Sequence, residues 1–115
     1  MMIRILMIGV LVGALAFVAA PRHAEAALMD GKALLNACKQ PSGTPRRSIC
    51  LGYVAAIADA LAENGIGKRK ACFASSAKLS AMRDAVVAHL EKQKSTADKP
   101  ASAGVTVALV NRFTC

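Results

Sequence analysis

The side chains of this sequence best equipped for covalent chemistry are its four cysteines, Cys38, Cys50, Cys72 and Cys115. A cysteine attacks or ligates through its thiolate, and cysteine metal sites carry closely spaced Cys and His pairs. No C-x-x-C, C-x-x-C-H or C-x-x-C…H pattern occurs among these four. An even number of cysteines in a small exported chain reads instead as two disulfides. Two further sets of residues have catalytic types. Asp59 and Glu63 stand one helical turn apart, the spacing of a general acid/base pair. The same spacing suits surface carboxylates that pair with Lys or Arg, and that reading is preferred. His89 borders an apolar stripe beside Met82 and is expected to pack rather than to act as a base. No G-x-S-x-G, H-E-x-x-H or glycine-rich phosphate loop is present. These residues point to binding rather than catalysis, with no metal and no cofactor.

The elements that position these residues begin after a leader. Arg4 is followed by an unbroken apolar run, Ile5 to Ala20, and then by Ala24-Glu25-Ala26. This is the order of a secretory signal with a small-x-small cleavage site. The run is shorter than the roughly 20 residues of a spanning helix, so no membrane anchor is expected once the signal is cut. Residues 1–26 are read as signal peptide and 27–115 as one mature domain with a modest core.

The mature chain reads as all-α, a bundle of about four helices. A first short amphipathic helix runs from Leu28 to Cys38, with Gly31, Leu34, Leu35 and Cys38 on one face. Pro41, Ser42, Gly43 and Pro45 break it. Thr44-Pro45 or Ser48 caps the next helix; the residues leave that choice open. The central stretch Cys50 to Leu61 is apolar nearly all round, which predicts a buried helix. Its inner row is read as Ile49, Tyr53, Ile57 and Leu61, and its one polar edge as Gly52, Asp59 and Glu63. The alanine-rich opposite side, Leu51, Ala55, Ala58 and Ala62, is read as core or as a dimer seam. Gly65 suits the position just past a helix end. A third helix is expected from a Ser75 or Ser76 cap to about Lys94, packed through Leu79, Met82, Val86 and Leu90. The last begins near Pro100 or Ala101, with Ala103, Thr106, Val107, Val110 and Phe113 as its inner face.

Cysteine pairing follows from these elements. A Cys38–Cys50 bridge closes a short loop and clamps the first two helices as a hairpin. Cys115 is the last residue, and a bridge to Cys72 pins an otherwise fraying end. In the loop-entropy account these bridges contribute about 3 and about 4 kcal/mol, comparable with the whole stability of a small domain. Counting alone permits two other connectivities.

The formal charge of +8 and pI of about 9.8 would ordinarily raise nucleic acid as a partner. Export argues against it, as does the scarcity of aromatics after the leader: Tyr53, Phe73 and Phe113. Anionic envelope material or an acidic protein suits the charge better. The turn Gly65-Ile66-Gly67-Lys68-Arg69-Lys70 concentrates three cations. It reads either as a solvated loop or as a projecting contact loop.

In order, the chain carries Gly31-x-x-Leu34-Leu35-x-x-Cys38, then Cys50-x-Gly52-Tyr53-Val54-x-x-Ile57-x-Asp59-Ala60. A lone Cys72 follows, then Val86-Val87-x-x-Leu90 and a terminal Phe113-Thr114-Cys115. This order resembles the Rap/Tai family of immunity proteins of type VI secretion systems, over about Asp30 to Cys115. The family usually has Gly where Ala56 stands, and Pro where Ala74 and Thr114 stand. The resemblance implies a small, exported, disulfide-bonded helical protein. It further implies a periplasmic location and a peptidoglycan-cleaving amidase effector as the partner that is bound and blocked. Members of the family can dimerise, so a homodimer is a further expectation. An inhibitor of this kind needs a rigid scaffold and a presented segment, because preorganisation lowers the ordering cost of binding. The exposed cationic segments nominated for contact are Lys68, Arg69 and Lys70, and Lys92, Lys94 and Lys99. The leading alternative is a small periplasmic chaperone or stress protein that binds unfolded clients. A hydrolase using Asp59, Glu63 and His89 ranks third.

Overall fold

A computed structural model describes residues 28–115 of the chain. The expected signal peptide, residues 1–26, lies outside the described residues. Four α-helices follow one another: α1 Gly31–Cys38, α2 Pro45–Glu63, α3 Leu79–Lys92 and α4 Ala101–Arg112, with a 3₁₀ turn at Lys94–Thr96. Among the described residues there is no β-strand, only two isolated bridges. Each helix packs on the other three. Their shared core is built on Leu34, Val54, Leu61, Val86, Val105 and Leu109, all with no solvent exposure. The all-α bundle with two disulfides is as the sequence reading expects. No helix among the described residues is long and apolar enough to cross a membrane.

The first helix starts later than Leu28, which is fully exposed. The backbone before Gly31 is engaged elsewhere. The amide of Gly31 donates to the Lys99 carbonyl at 3.0 Å, and that of Ala101 donates to the Met29 carbonyl at 3.0 Å. This pairing straps the start of α1 to the start of α4, so residues 29 and 30 lie outside the helix, with Asp30 extended. Asp30 then caps the helix, accepting from the Ala33 amide at 2.8 Å. Gly31 permits the close approach: a Cβ there would lie 3.3 Å from the Thr96 carbonyl oxygen.

Thr44 caps α2 and Pro45 occupies its first turn, which settles the choice left open by the residues. The helix ends at Gly65, whose φ of +77° is the left-handed conformation of a helix stop. Its buried face corrects the expectation of a helix buried all round. Cys50, Val54, Ala58 and Leu61 point inward, whereas Ile49 is 53% exposed, Tyr53 and Ile57 are half-buried, and Ala56 and Ala60 are exposed. Neighbouring helices cover one side of α2 only. The Cys38–Cys50 bridge, with Cα atoms 5.0 Å apart and both residues fully buried, turns the Cys50 face towards α1.

Helix α3 begins at Leu79 rather than after Ser75 or Ser76, which sit in a turn closed by the Ala77 amide on the Ala74 carbonyl at 2.8 Å. Its inner face is as expected: Val86 and Leu90 are buried, and Leu79 and Met82 pack against the core. Arg83 donates through Nη1 to the Cys38 carbonyl at 3.1 Å, which satisfies an open carbonyl at the end of α1. The inner face of α4 is as expected at Thr106, which is buried, and at Val110 and Phe113, which pack against the core, and is corrected at Ala103 and Val107. Ala101, Val105, Thr106, Ala108 and Leu109 are buried, while Ala103 is exposed and Val107, Val110 and Phe113 are half-buried. Gly104 marks the contact with α3, since a Cβ there would lie 2.8 Å from Leu90 Cδ2. The buried Thr106 hydroxyl donates to the Ser102 carbonyl at 2.7 Å, so its burial leaves no donor unpaired.

Cys72–Cys115 is the second disulfide. It lies at the surface, reinforced by the Cys72 amide on the Phe113 carbonyl at 2.8 Å and by the Phe73 and Phe113 rings, 5.0 Å between centroids.

Candidate functional site

The cationic turn after α2 is a small closed hairpin. The Ile66 amide donates to the Arg69 carbonyl at 2.9 Å, and the Arg69 amide returns a bond to Ile66 at 3.1 Å. Gly65 and Gly67 both have positive φ, and a Cβ on Gly65 would come within 2.6 Å of the Arg69 carbonyl oxygen. The glycines are therefore what lets the chain reverse here. Downstream the turn is anchored by buried Ala71, whose amide donates to Leu61, and by the Cys72–Cys115 bridge. Lys68, Arg69 and Lys70 are held exposed on this rigid support.

The second cationic segment divides. Lys92 lies in the last turn of α3, beside an open groove of about 560 Å³ between α3 and α4 that also takes in Asp84, His89 and Arg112. Lys94 sits exposed on the 3₁₀ turn. Lys99 is the last residue but one before α4, held by its carbonyl's bond from Gly31 and by its own amide's bond to Thr96 at 3.0 Å. Among the described residues the ion pairs are Lys39–Glu91, at 3.2 Å, and Arg83–Asp84. None of the six nominated cations takes part in either.

The fold brings Arg69 and Lys99 to the same helix. A groove of about 560 Å³ lies between the hairpin, at Ile66, Gly67 and Arg69, and the first turns of α4. A smaller groove of about 140 Å³ lies on the other flank, against Gly31, Thr96 and Lys99. Pro100, Ala103 and Val107 wall both grooves and form the ridge between them. Ala103 and Val107 were expected inside. Val105, Ala108 and Leu109 on the adjoining face are just as apolar, so periodicity alone carried no signal that the helix is turned this way.

The acid–base set does not assemble. Asp59 and Glu63 are exposed on the outer edge of α2 and enter no ion pair among the described residues. His89 lines the grooves beside α4, which include neither carboxylate. Among the described residues no three His, Cys, Asp or Glu side chains are grouped to hold a metal ion.

Neither the curated proteins nor the solved structures contain a match to the chain. A family model described as Rap1a immunity proteins does match, over residues 30–115. That span takes in all four helices, both disulfides and the cationic hairpin. By that match over most of its length, the chain belongs to the Rap1a immunity protein family.

Proposed function

We propose that this chain is a periplasmic immunity protein that binds and inhibits a type VI secreted, peptidoglycan-cleaving amidase, so that the producing cell survives its own effector. Family membership over residues 30–115 carries the reading. The chemistry of the chain agrees with it. Two disulfides suit an oxidising compartment, and a preorganised scaffold lowers the ordering cost of an inhibitor. A cationic hairpin, closed by backbone bonds and in no ion pair among the described residues, suits an acidic substrate cleft and accelerates encounter with it. The nominated contact residues are Lys68, Arg69 and Lys70, with Lys92, Lys94 and Lys99 beside them. The protein then acts by occupying its partner rather than by catalysis.

The test is inhibition. Oxidised residues 27–115 should capture one small cell-wall amidase from an envelope extract of the same cell and abolish its peptidoglycan cleavage at one-to-one stoichiometry. Reversing Lys68, Arg69 and Lys70 together should weaken that complex far more than reversing Lys39 and Arg46. Equal effects of the two sets remove the hairpin from the contact. The chaperone-like alternative has its own observation, the apolar side of α2 where Ile49 is exposed beside half-buried Tyr53 and Ile57. It predicts weak capture of many unrelated proteins and no inhibition.

A further inference from the structure

The geometry points to the outer ridge of α4, Pro100–Ala103–Val107 with its two flanking grooves, as the apolar centre of the effector-binding surface, made for a segment that carries carboxylates beside apolar side chains. This inference rests on the immunity reading and adds the surface and the chemistry of the segment it takes.

Three observations carry it. The first is apolar exposure at an ordered place. Pro100 and Ala103 are exposed and Val107 is half-buried, yet the backbone beneath them is strapped to α1 by the bonds of Gly31, Lys32 and Ala101. The second is shape. The ridge stands between grooves of about 560 and about 140 Å³, so a partner segment laid over it can place one side chain in each. The third is charge. Arg69 walls the larger groove and Lys99 the smaller, and neither is in an ion pair among the described residues. An apolar centre flanked by one cation on each side matches the apolar-core, polar-rim arrangement of an interface, and the rim selects a partner with carboxylates.

Charge also argues against the competing occupants. A second copy placed face to face would bring Arg69 and Lys99 against the same cations, and like-charge juxtaposition costs several kcal/mol. A nucleic acid would find no Phe, Tyr or Trp among the residues that wall the two grooves, and the imidazole of His89 is the one aromatic ring there.

The experiment uses the oxidised mature protein and the amidase that it inhibits, with binding followed by calorimetry and inhibition by peptidoglycan cleavage. Ala103→Arg places a cation on the exposed ridge, and Arg69→Glu with Lys99→Glu reverses the rim; none of these side chains is in the core. Each change should lower affinity at least tenfold, while Ala56→Arg on the outer face of α2 leaves it within twofold. Circular dichroism matching that of the unchanged protein keeps the reading on the surface rather than on folding. In hydrogen exchange of the complex, protection should appear at residues 66–70 and 99–107.

The two failures are distinguishable. An unchanged protein that inhibits no cell-wall amidase overturns the immunity reading and this surface with it. Full inhibition retained by Ala103→Arg and by the double reversal overturns the surface alone. So does a concentration-dependent dimer that Ala103→Arg dissolves, or binding to phosphatidylglycerol vesicles that these changes abolish while inhibition persists.

Discussion

The glycine at position 104 is set by a single neighbour. A Cβ there would stand 2.8 Å from Leu90 Cδ2, and Leu90 is itself buried among core residues. Gly104→Ala is therefore expected to change stability by no more than about 1 kcal/mol, because the atom it meets is the tip of the flexible Leu90 side chain, which also borders a groove, and alanine favours the helix. Urea denaturation of the oxidised protein measures this, and a loss of several kcal/mol would show that Leu90 does not move aside. The cysteines differ in the same local way. Cys38 and Cys50 have no exposed surface, whereas Cys72 and Cys115 are exposed. Thiol–disulfide exchange requires a thiolate to reach a sulfur. Limiting reductant followed by alkylation should label Cys72 and Cys115 first, with Cys38 and Cys50 labelled only once the fold opens.

At the scale of the helices, the rotation of α2 is the feature most open to mutation. Leu61 is fully buried and Ile49 is 53% exposed. Leu61→Ala should cost about 2–5 kcal/mol, and Ile49→Ala should stay within about 1 kcal/mol, as surface changes do. Thermal or urea unfolding of the two variants tests the assignment at the two ends of the expected row, and the reverse order would restore Ile49 to the core. Helix stops were legible in the residues and starts only in part, since the residues leave the α2 start between Thr44-Pro45 and Ser48, and α3 begins at Leu79 rather than after Ser75 or Ser76. Thr44-Pro45 opens α2 and Gly65 ends it, because caps and stops are local effects written into a few residues. The start of α1 was not legible. It depends on backbone bonds from Gly31 and Lys32 to residues 97 and 99, partners far along the chain.

Across the whole molecule, the Cys72–Cys115 bridge closes a separation of 43 residues, against 12 for Cys38–Cys50. It joins Cys115 to Cys72, just after the cationic hairpin. Replacing Cys72 and Cys115 by Ser should remove about 4 kcal/mol of stability in the loop-entropy account. At temperatures where that variant remains helical, it should also bind its effector more weakly, because the hairpin loses its downstream anchor. Unfolding and calorimetry on the same samples separate the two effects. Retained affinity would show that the closed hairpin bonds suffice to present Lys68, Arg69 and Lys70.

By itself the sequence determined the helical class, the order of the helices and the two cysteine pairs, since these follow from apolar periodicity, turn residues and cysteines placed at the ends of neighbouring elements. Only the tertiary structure decided which sides of α2 and α4 face inward. Both helices are rich in alanine and valine around most of their circumference, so several rotations bury similar apolar area. The choice fell to long-range constraints: the Cys38–Cys50 bond for α2, and the contact of Gly104 with Leu90 for α4. The same constraints turned Ala103 and Val107 outward between Arg69 and Lys99. Residues thirty positions apart become one surface because the α1 strap and the hairpin both close on the same helix.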